Sequence, residues 1–249
     1  EWARESIARV MDKLQAESEA RGKGDLFEAL KGSLTGDEPA RSETAARLKM
    51  TEGAVKTAVH RLRRRFRELL RAEIAQQTNI IEQATWMAAL DTGKPAFPLG
   101  VDIDTGYGNE PSSVILTCRQ VHKQGAQYVQ IEDQYAINKS CGHMAGSKGT
   151  GKMLVSAEEM IESRLRPAVS YAASQDDLMV MARTDAIATD GIDEAIRRAH
   201  MYAEVGARMI FVEAPEDEKQ LQRTAREFRG TPALSLANMI EGSPKTPYK

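Results

Sequence analysis

Apolar positions along the chain keep two successive rhythms. Up to about Gln76 they recur every three or four residues, the period of a helix with one buried face. Ile7, Val10, Met11 and Leu14 predict an amphipathic helix over residues 1–20, ended by Arg21-Gly22-Lys23-Gly24. Leu26, Phe27, Leu30 and Leu34 predict a second helix, stopped by Gly36 and Pro39. A short helix over 42–48 follows, with Lys49-Met50 as a turn. Thr51 is placed as the N-cap of a helix running to about Gln76, whose face is Val55, Val59, Leu62, Phe66 and Leu70. Beyond that point short apolar runs alternate with helical stretches. The runs are Leu99–Ile103, Tyr128–Ile131, Leu178–Ala182, Met209–Val212 and Ala233–Ala237; the helices fall near 111–124, 156–174, 190–205 and 217–228. Strands alternating with helices predict a parallel sheet with right-handed crossovers. The expected fold is therefore α/β, with an all-α domain over 1–78 before a β/α domain over 79–249.

Charge sharpens this division. The 249 residues carry 34 Lys+Arg and 36 Asp+Glu, a formal net charge of −2. Residues 1–78 hold 16 basic and 13 acidic side chains, and residues 79–249 hold 18 and 23. Residues 41–71 alone hold 10 basic against 3 acidic. Hydrophobic residues at 41% and charged residues at 28% exclude disordered and collagen-like chains. No apolar run reaches the ~18 residues of a membrane span, so no membrane partner is expected. Cys118 and Cys141 do not make a disulfide framework and suit a reducing, cytoplasmic setting.

The short helix, turn and basic helix are the parts of a helix-turn-helix. Lys56, His60, Arg61, Arg63, Arg64, Arg65 and Arg67 offer cations for phosphates. On periodicity alone, a solvated basic face on a helical bundle explains the pattern as well. The stretch Thr51–Arg71 resembles the promoter-reading region of bacterial RNA polymerase sigma factors of the extracytoplasmic-function type. That resemblance implies contact with promoter DNA through Thr51, Lys56, His60, Arg61, Arg63 and Arg64. Lys49 departs from the family's usual turn glycine, and the module that binds core polymerase has no counterpart here.

In the second part each apolar run ends in polar chemistry. Asp102 and Asp104 follow the first, Glu132 and Asp133 the second, Arg183 and Asp185 the third, Glu213 the fourth and Asn238 the fifth. In a β/α barrel these positions share the catalytic face. Helix capping and loop polarity account for Asp104 or Asp185, but not for Glu132, Arg183 and Glu213 together. The oxygen donors Asp102, Asp104 and Glu132 suit Mg²⁺ acting as a Lewis acid on an α-hydroxy or α-keto acid. Arg183 offers a fork for a substrate carboxylate. The loop Lys139-Ser140-Cys141-Gly142-His143 continues through a Gly-rich run to Lys152 and reads as a lid. Cys141, two residues from His143, is a candidate proton donor.

The segments Asp102–Gly108, Gln130–Gln134, Lys139–His143, Met181–Asp185 and Val212–Pro215 resemble the isocitrate lyase/phosphoenolpyruvate mutase superfamily over about 80–249. Cys141-Gly142-His143 points to its lyase branch, above all methylisocitrate lyase-like enzymes. The resemblance implies Mg²⁺-dependent cleavage of a 2-hydroxy tricarboxylate to glyoxylate or pyruvate plus succinate. Asp102 and Asp104 would surround Mg²⁺ with Glu132 nearby. Cys141 would protonate the carbanion, tuned by His143. Arg183, Glu213, Asn238 and Gly142 would hold substrate. Ser140, where the family usually has a basic residue, and the added 147–151 stretch bear on substrate choice. The family's barrel has eight strands, and the five here match its third through seventh. The expectation is an incomplete (β/α)8 barrel with little or no lyase activity and a chimera of two unrelated families; the resemblance implies a homo-oligomer, which the missing strands put in doubt.

Overall fold

The computed structural model describes residues 2–35, 40–108, 110–135, 152–229 and 234–238, the last as backbone only. The chain forms two compact units, Glu1–Gln77 and Thr78–Lys249.

In the first unit the helices are α1 (Trp2–Ala20), α2 (Gly24–Leu30), α3 (Gly32–Thr35), α4 (Arg41–Leu48) and the start of α5 (Glu52–Thr92). The apolar stripes meet as their spacing predicts. Leu30, Ala45, Val55 and Val59 form a buried cluster, with Leu26, Met50, Ala58 and Leu62 packed on it. Val10, Leu14 and Phe27 are also buried. Lys49 closes α4 in the left-handed region at φ 53°, ψ 43°, which costs a residue with a Cβ roughly 1 kcal/mol. The Met50 amide offsets this by donating to the Ala45 carbonyl at 2.9 Å. Thr51 Oγ1 accepts from the Ala54 amide at 3.2 Å, capping α5.

One boundary differs from expectation. The helix predicted to end near Gln76 continues unbroken to Thr92. No glycine or proline lies between Gly53 and Gly93, so nothing local terminates the backbone ladder. Gly93 then adopts φ 64°, and Pro95 follows.

The second unit is built on five parallel strands: β1 (Gly100–Asp102), β2 (Tyr128–Glu132), β3 (Met179–Thr184), β4 (Met209–Glu213) and β5 (Leu234–Asn238). Their spatial order is the chain order. Sequential parallel order is that of consecutive barrel strands. Val129, Ile131, Val180, Ala182, Ile210 and Val212 alternate along their strands and are each at most 1% exposed, so one face of the inner strands is fully covered. The connections carry α6 (Pro111–His122), α7 (Ala157–Met160), α8 (Arg166–Ala172), α9 (Ala186–Asp190), α10 (Ile192–Val205) and α11 (Glu218–Glu227). Cys118 on α6 is fully buried, and burial pushes its thiol up to about 12.

Between α7 and α8 the helix widens to a π turn over Ile161–Leu165. Pro167 has no N–H to give to the Ser163 carbonyl, so an ordinary turn there would lose its hydrogen bond. The widened turn carries Arg164 inward. Its Nη1 donates to the Glu132 carbonyl at 2.8 Å and the Gln134 carbonyl at 2.7 Å.

Candidate active site

Parallel register brings the strands' C-terminal ends to one edge. Asp102 is level with Gln130, Glu132 with Arg183, Arg183 with Phe211 and Glu213 with Asn238. Just beyond this edge three non-glycine residues hold positive φ: Asp104 (52°), Tyr107 (54°) and Ala214 (60°). Such conformations persist only where surrounding structure dictates them, and they concentrate at functional sites. The turn after β1 is held by Asp102. Its Oδ1 accepts the Asp104 amide at 2.8 Å and its Oδ2 accepts Gln130 Nε2 at 2.9 Å. Gly106 is at φ 89°, and a Cβ there would lie 2.6 Å from Val114 Cγ2. The turn therefore needs glycine both for its backbone and for its contact with α6.

Arg183 is the centre of charge. Its Nε and Nη2 donate to Asp185 Oδ2 and Oδ1, both at 2.9 Å. Glu132 Oε2 lies 3.5 Å from Nε, and Glu213 Oε2 lies 3.4 Å from Nη1. Its guanidinium also stands 5.8 Å from the centroid of the Phe211 ring. Burial would raise Asp185, but Arg183 and Lys152 hold it below the ordinary carboxylate value. Glu132 moves the other way. Burial lifts it well above the ordinary value, against the pull of Arg183. Burial, then the charges of Asp102 and Glu132, push the Tyr107 phenol up.

A second, deeper cluster holds this one in place. Asp133 is fully buried. Its Oδ1 accepts the Asp185 amide at 3.0 Å. Its Oδ2 accepts Thr184 Oγ1 at 2.8 Å, Tyr202 hydroxyl at 3.0 Å and Arg198 Nη1 at 3.2 Å. Lys152 Nζ reaches Asp185 Oδ1 at 2.5 Å. Residues on either side of 136–151 are tied together. Gln134 bridges Leu154, and the Tyr135 amide donates to the Met153 carbonyl at 2.8 Å.

The structure thus gathers Glu132, Arg183 and Glu213 as the strand-end reading requires, with Asp102 and Asp104 on the neighbouring turn. Cys141, Gly142 and His143 lie outside the described residues, as does the side chain of Asn238. Among the described residues, no group of three His, Cys, Asp or Glu side chains is assembled to hold a metal. Sequence reasoning assigned no role to Asp133, Tyr107, Arg164, Arg198 or Tyr202, and it treated Lys152 only as the end of a loop. The available signal was Asp133 itself, a second acid beside Glu132 at a strand end. Its partners sit on α10, which only folding brings near.

Glu194 on α10 couples this cluster to solvent. Hydrogen bonds from Arg197, then Arg198, hold its carboxyl at about 2 against burial. A depressed carboxylate contributes stability above its ordinary value of 4.5, and that contribution is lost as pH falls toward about 2. Glu194→Gln is expected to flatten the acid limb of stability against pH. Because its side chain is 25% exposed, the effect should be on the order of 1 kcal/mol. Urea titrations at stepped pH check this; an unchanged acid limb would exclude it.

On the basic helix, Lys56, His60, Arg61 and Arg64 are exposed, and Thr51 is spent as a cap. Two of the predicted phosphate partners have internal roles instead. Arg63 donates to the Ser33 carbonyl through Nε at 3.2 Å and Nη2 at 3.0 Å. Arg65 pairs with Glu17 at 2.6 Å. Both sit on the side of α5 that faces α1 and α3, so intramolecular acceptors reach them first.

The class of protein that fold and site define is a parallel α/β sheet whose strand ends converge on an arginine among carboxylates. The family model described as phosphoenolpyruvate phosphomutase matches residues 69–246, and the chain belongs to this family. The 2,3-dimethylmalate lyase of Eubacterium barkeri is 43% identical over 150 residues, covering 60% of this chain and 47% of the relative. A 2-methylisocitrate lyase of Aeropyrum pernix is 38% identical over 151 residues, covering 61% and 44%. A solved 2,3-dimethylmalate lyase superposes with a TM-score of 0.60 at 28% identity, covering 72% of this chain and 54% of that one. The chain spans about half the length of the curated relatives it matches.

Proposed function

We propose that this chain acts as a carbon–carbon lyase on a 2-hydroxy tricarboxylate or dicarboxylate, releasing an α-keto acid together with a dicarboxylate such as succinate from the former or a monocarboxylate from the latter. The observation that carries this reading is Arg183, fixed at the strand ends between Glu132 and Glu213. Its relatives named as lyases support the reaction class.

Arg183 binds a substrate carboxylate, with Glu213 and Asn238 completing the shell. As the substrate's 2-hydroxyl gives its proton to a carboxylate of the site and becomes the keto oxygen, the electron pair of the broken C–C bond stays on the departing carbon. The Cys141 thiol, tuned by His143, delivers a proton there. Glu132, Asp185 and Glu213 put three carboxyl groups against two cations, Arg183 and Lys152, and the turn after β1 adds Asp102 and Asp104 at the same edge. Such a site repels a polyanionic substrate unless further positive charge enters with it. The hard oxygen donors Asp102, Asp104 and Glu132 fit Mg²⁺ that keeps several of its waters, which needs no three-carboxylate cage. When bound, Mg²⁺ supplies Lewis-acid polarisation of the substrate's hydroxyl and carboxylate oxygens.

The test is release of pyruvate or glyoxylate from 2-methylisocitrate, isocitrate and 2,3-dimethylmalate, with Mg²⁺ and with chelator. Turnover that needs Mg²⁺ and disappears in Cys141→Ser supports the reading. Turnover indifferent to Cys141→Ser and Arg183→Ala overturns the assigned roles, and no turnover on any of the three overturns the substrate class.

A second reading concerns the first unit alone. The α4–turn–α5 geometry and the exposed Lys56, His60, Arg61 and Arg64 favour duplex DNA as a ligand. Binding should weaken with salt at a log–log slope of about −3 to −4, falling by about one for Arg61→Ala or Arg64→Ala. Fluorescence anisotropy across a salt series measures this, and a flat series excludes phosphate contacts.

A further inference from the structure

We infer that Lys152 and Asp185 are positioning residues that set the orientation of Arg183, so that one edge of its guanidinium faces the ligand. The inference rests on Arg183 being the carboxylate-binding group proposed above, and deepens that reading.

The geometry is a three-member relay. Asp185 is fully buried, and its two oxygens take two different nitrogens of Arg183. A two-point contact between planar groups fixes the plane of the guanidinium as well as its location. With Nε and Nη2 engaged by Asp185, Nη1 is the nitrogen on the Glu213 side. An entering carboxylate would then meet the Nη1/Nη2 edge, beside Glu213. Asp185 is itself held from three directions. Its amide donates to Asp133, Arg183 grips its carboxylate, and Lys152 Nζ approaches its Oδ1.

Lys152 is the unusual member. Its side chain is 3% exposed, and lysine is among the residues least often buried without a partner. It lies on the far side of the 136–151 stretch, next to Met153, whose carbonyl takes the Tyr135 amide. Lys152 therefore ties the chain just before Met153 to Asp185, the partner of the arginine on β3. A structural ion pair at this depth breaks even at best against an apolar pair. The pairing makes more sense as geometry: without Lys152, Asp185 has one cation instead of two and is free to follow Arg183 toward Glu132 or Glu213.

The experiment reads Arg183 directly in the full chain. The ¹⁵N-edited NMR signal of its Nε–H is identified by its loss in Arg183→Lys. In the unmodified protein its exchange with water should be slowed by about tenfold or more against an exposed arginine. Lys152→Met should remove most of that protection and shift the signal, whereas Lys152→Arg should retain it. The Arg198 Nε–H, bonded to Glu194 at 2.8 Å, reports whether the fold is intact. If Lys152→Met also loses the Arg198 signal, Lys152→Gln is read by the same criterion. An unchanged Arg183 signal in Lys152→Met, or in Lys152→Gln where that stands in, with Arg198 intact, overturns the inference. Oxalate with Mg²⁺ is the separate arm. If Arg183 Nε–H does not shift with oxalate in the unmodified protein, carboxylate binding fails, while the ligand-free comparison still decides the positioning role. Where oxalate binds, Lys152→Met should weaken its Kd at least tenfold more than Lys152→Arg; equal weakening also overturns it.

Discussion

Arg183→Ala is expected to destabilise the second unit by about 3–5 kcal/mol, as breaking a buried charge network does. The guanidinium is 12% exposed on its side chain and faces three carboxylates, Glu132, Asp185 and Glu213. Its removal takes away the cation and leaves the charges of Asp185 and Glu213 in a poorly hydrated place. A domain is usually stable by only about 5–15 kcal/mol, so the variant should be close to its limit. The loss should also depend on pH. Asp185 is held below its ordinary value of 3.8, after burial, chiefly by Arg183. A depressed carboxylate adds stability above the ordinary value and loses it as pH falls through the folded value. The deficit of Arg183→Ala should therefore be fullest above pH 4 and shrink on acidification. Hydrogen exchange of β3 and β4 amides follows this unit specifically. A deficit below about 1 kcal/mol, equal at every pH, would show that Arg183 behaves as a surface cation.

Asp133→Asn should cost a similar amount, about 3–5 kcal/mol, although it changes one atom. Both carboxylate oxygens accept, Oδ1 from the Asp185 amide and Oδ2 from Thr184, Arg198 and Tyr202. An asparagine satisfies one side only. Its NH₂ must then face a donor, either the Asp185 amide or the Arg198–Tyr202 group. The buried counter-charge to Arg198 is also lost. Tyr202→Phe removes a single hydrogen bond from the same carboxylate and should cost nearer 1 kcal/mol. Replacing both charges, as Asp133→Leu with Arg198→Met, should be milder than Asp133→Leu alone, because no buried ion is stranded. Urea unfolding of the four variants measures the ordering. If Asp133→Asn and Tyr202→Phe cost the same, the carboxylate is only one acceptor among several.

These two residues mark where sequence reasoning succeeds and stops. Arg183 was legible because it ends an apolar run, and parallel strands place such ends on one edge. Asp133 was visible as a polar residue but its purpose was not. Three of its partners, Thr184, Arg198 and Tyr202, are 51, 65 and 69 residues away. Arg63 shows the opposite limit. Its spacing on α5 placed it among the phosphate-pairing cations, and only the packing of α3 beside α5 gave it the Ser33 carbonyl.

The sequence by itself determined the helical first unit, the five strands and their order, the acids and arginine at the strand ends, and the family they resemble. These follow from local periodicity and from the single sense of parallel strands. Tertiary structure decided which charges meet. It set Arg183 against Asp185 rather than solvent, buried Lys152 beside them, and made Asp133 the hub beneath. Each of these depends on distances between segments far apart in the chain. A residue's pattern in the sequence states its chemistry, but its partner is chosen by packing.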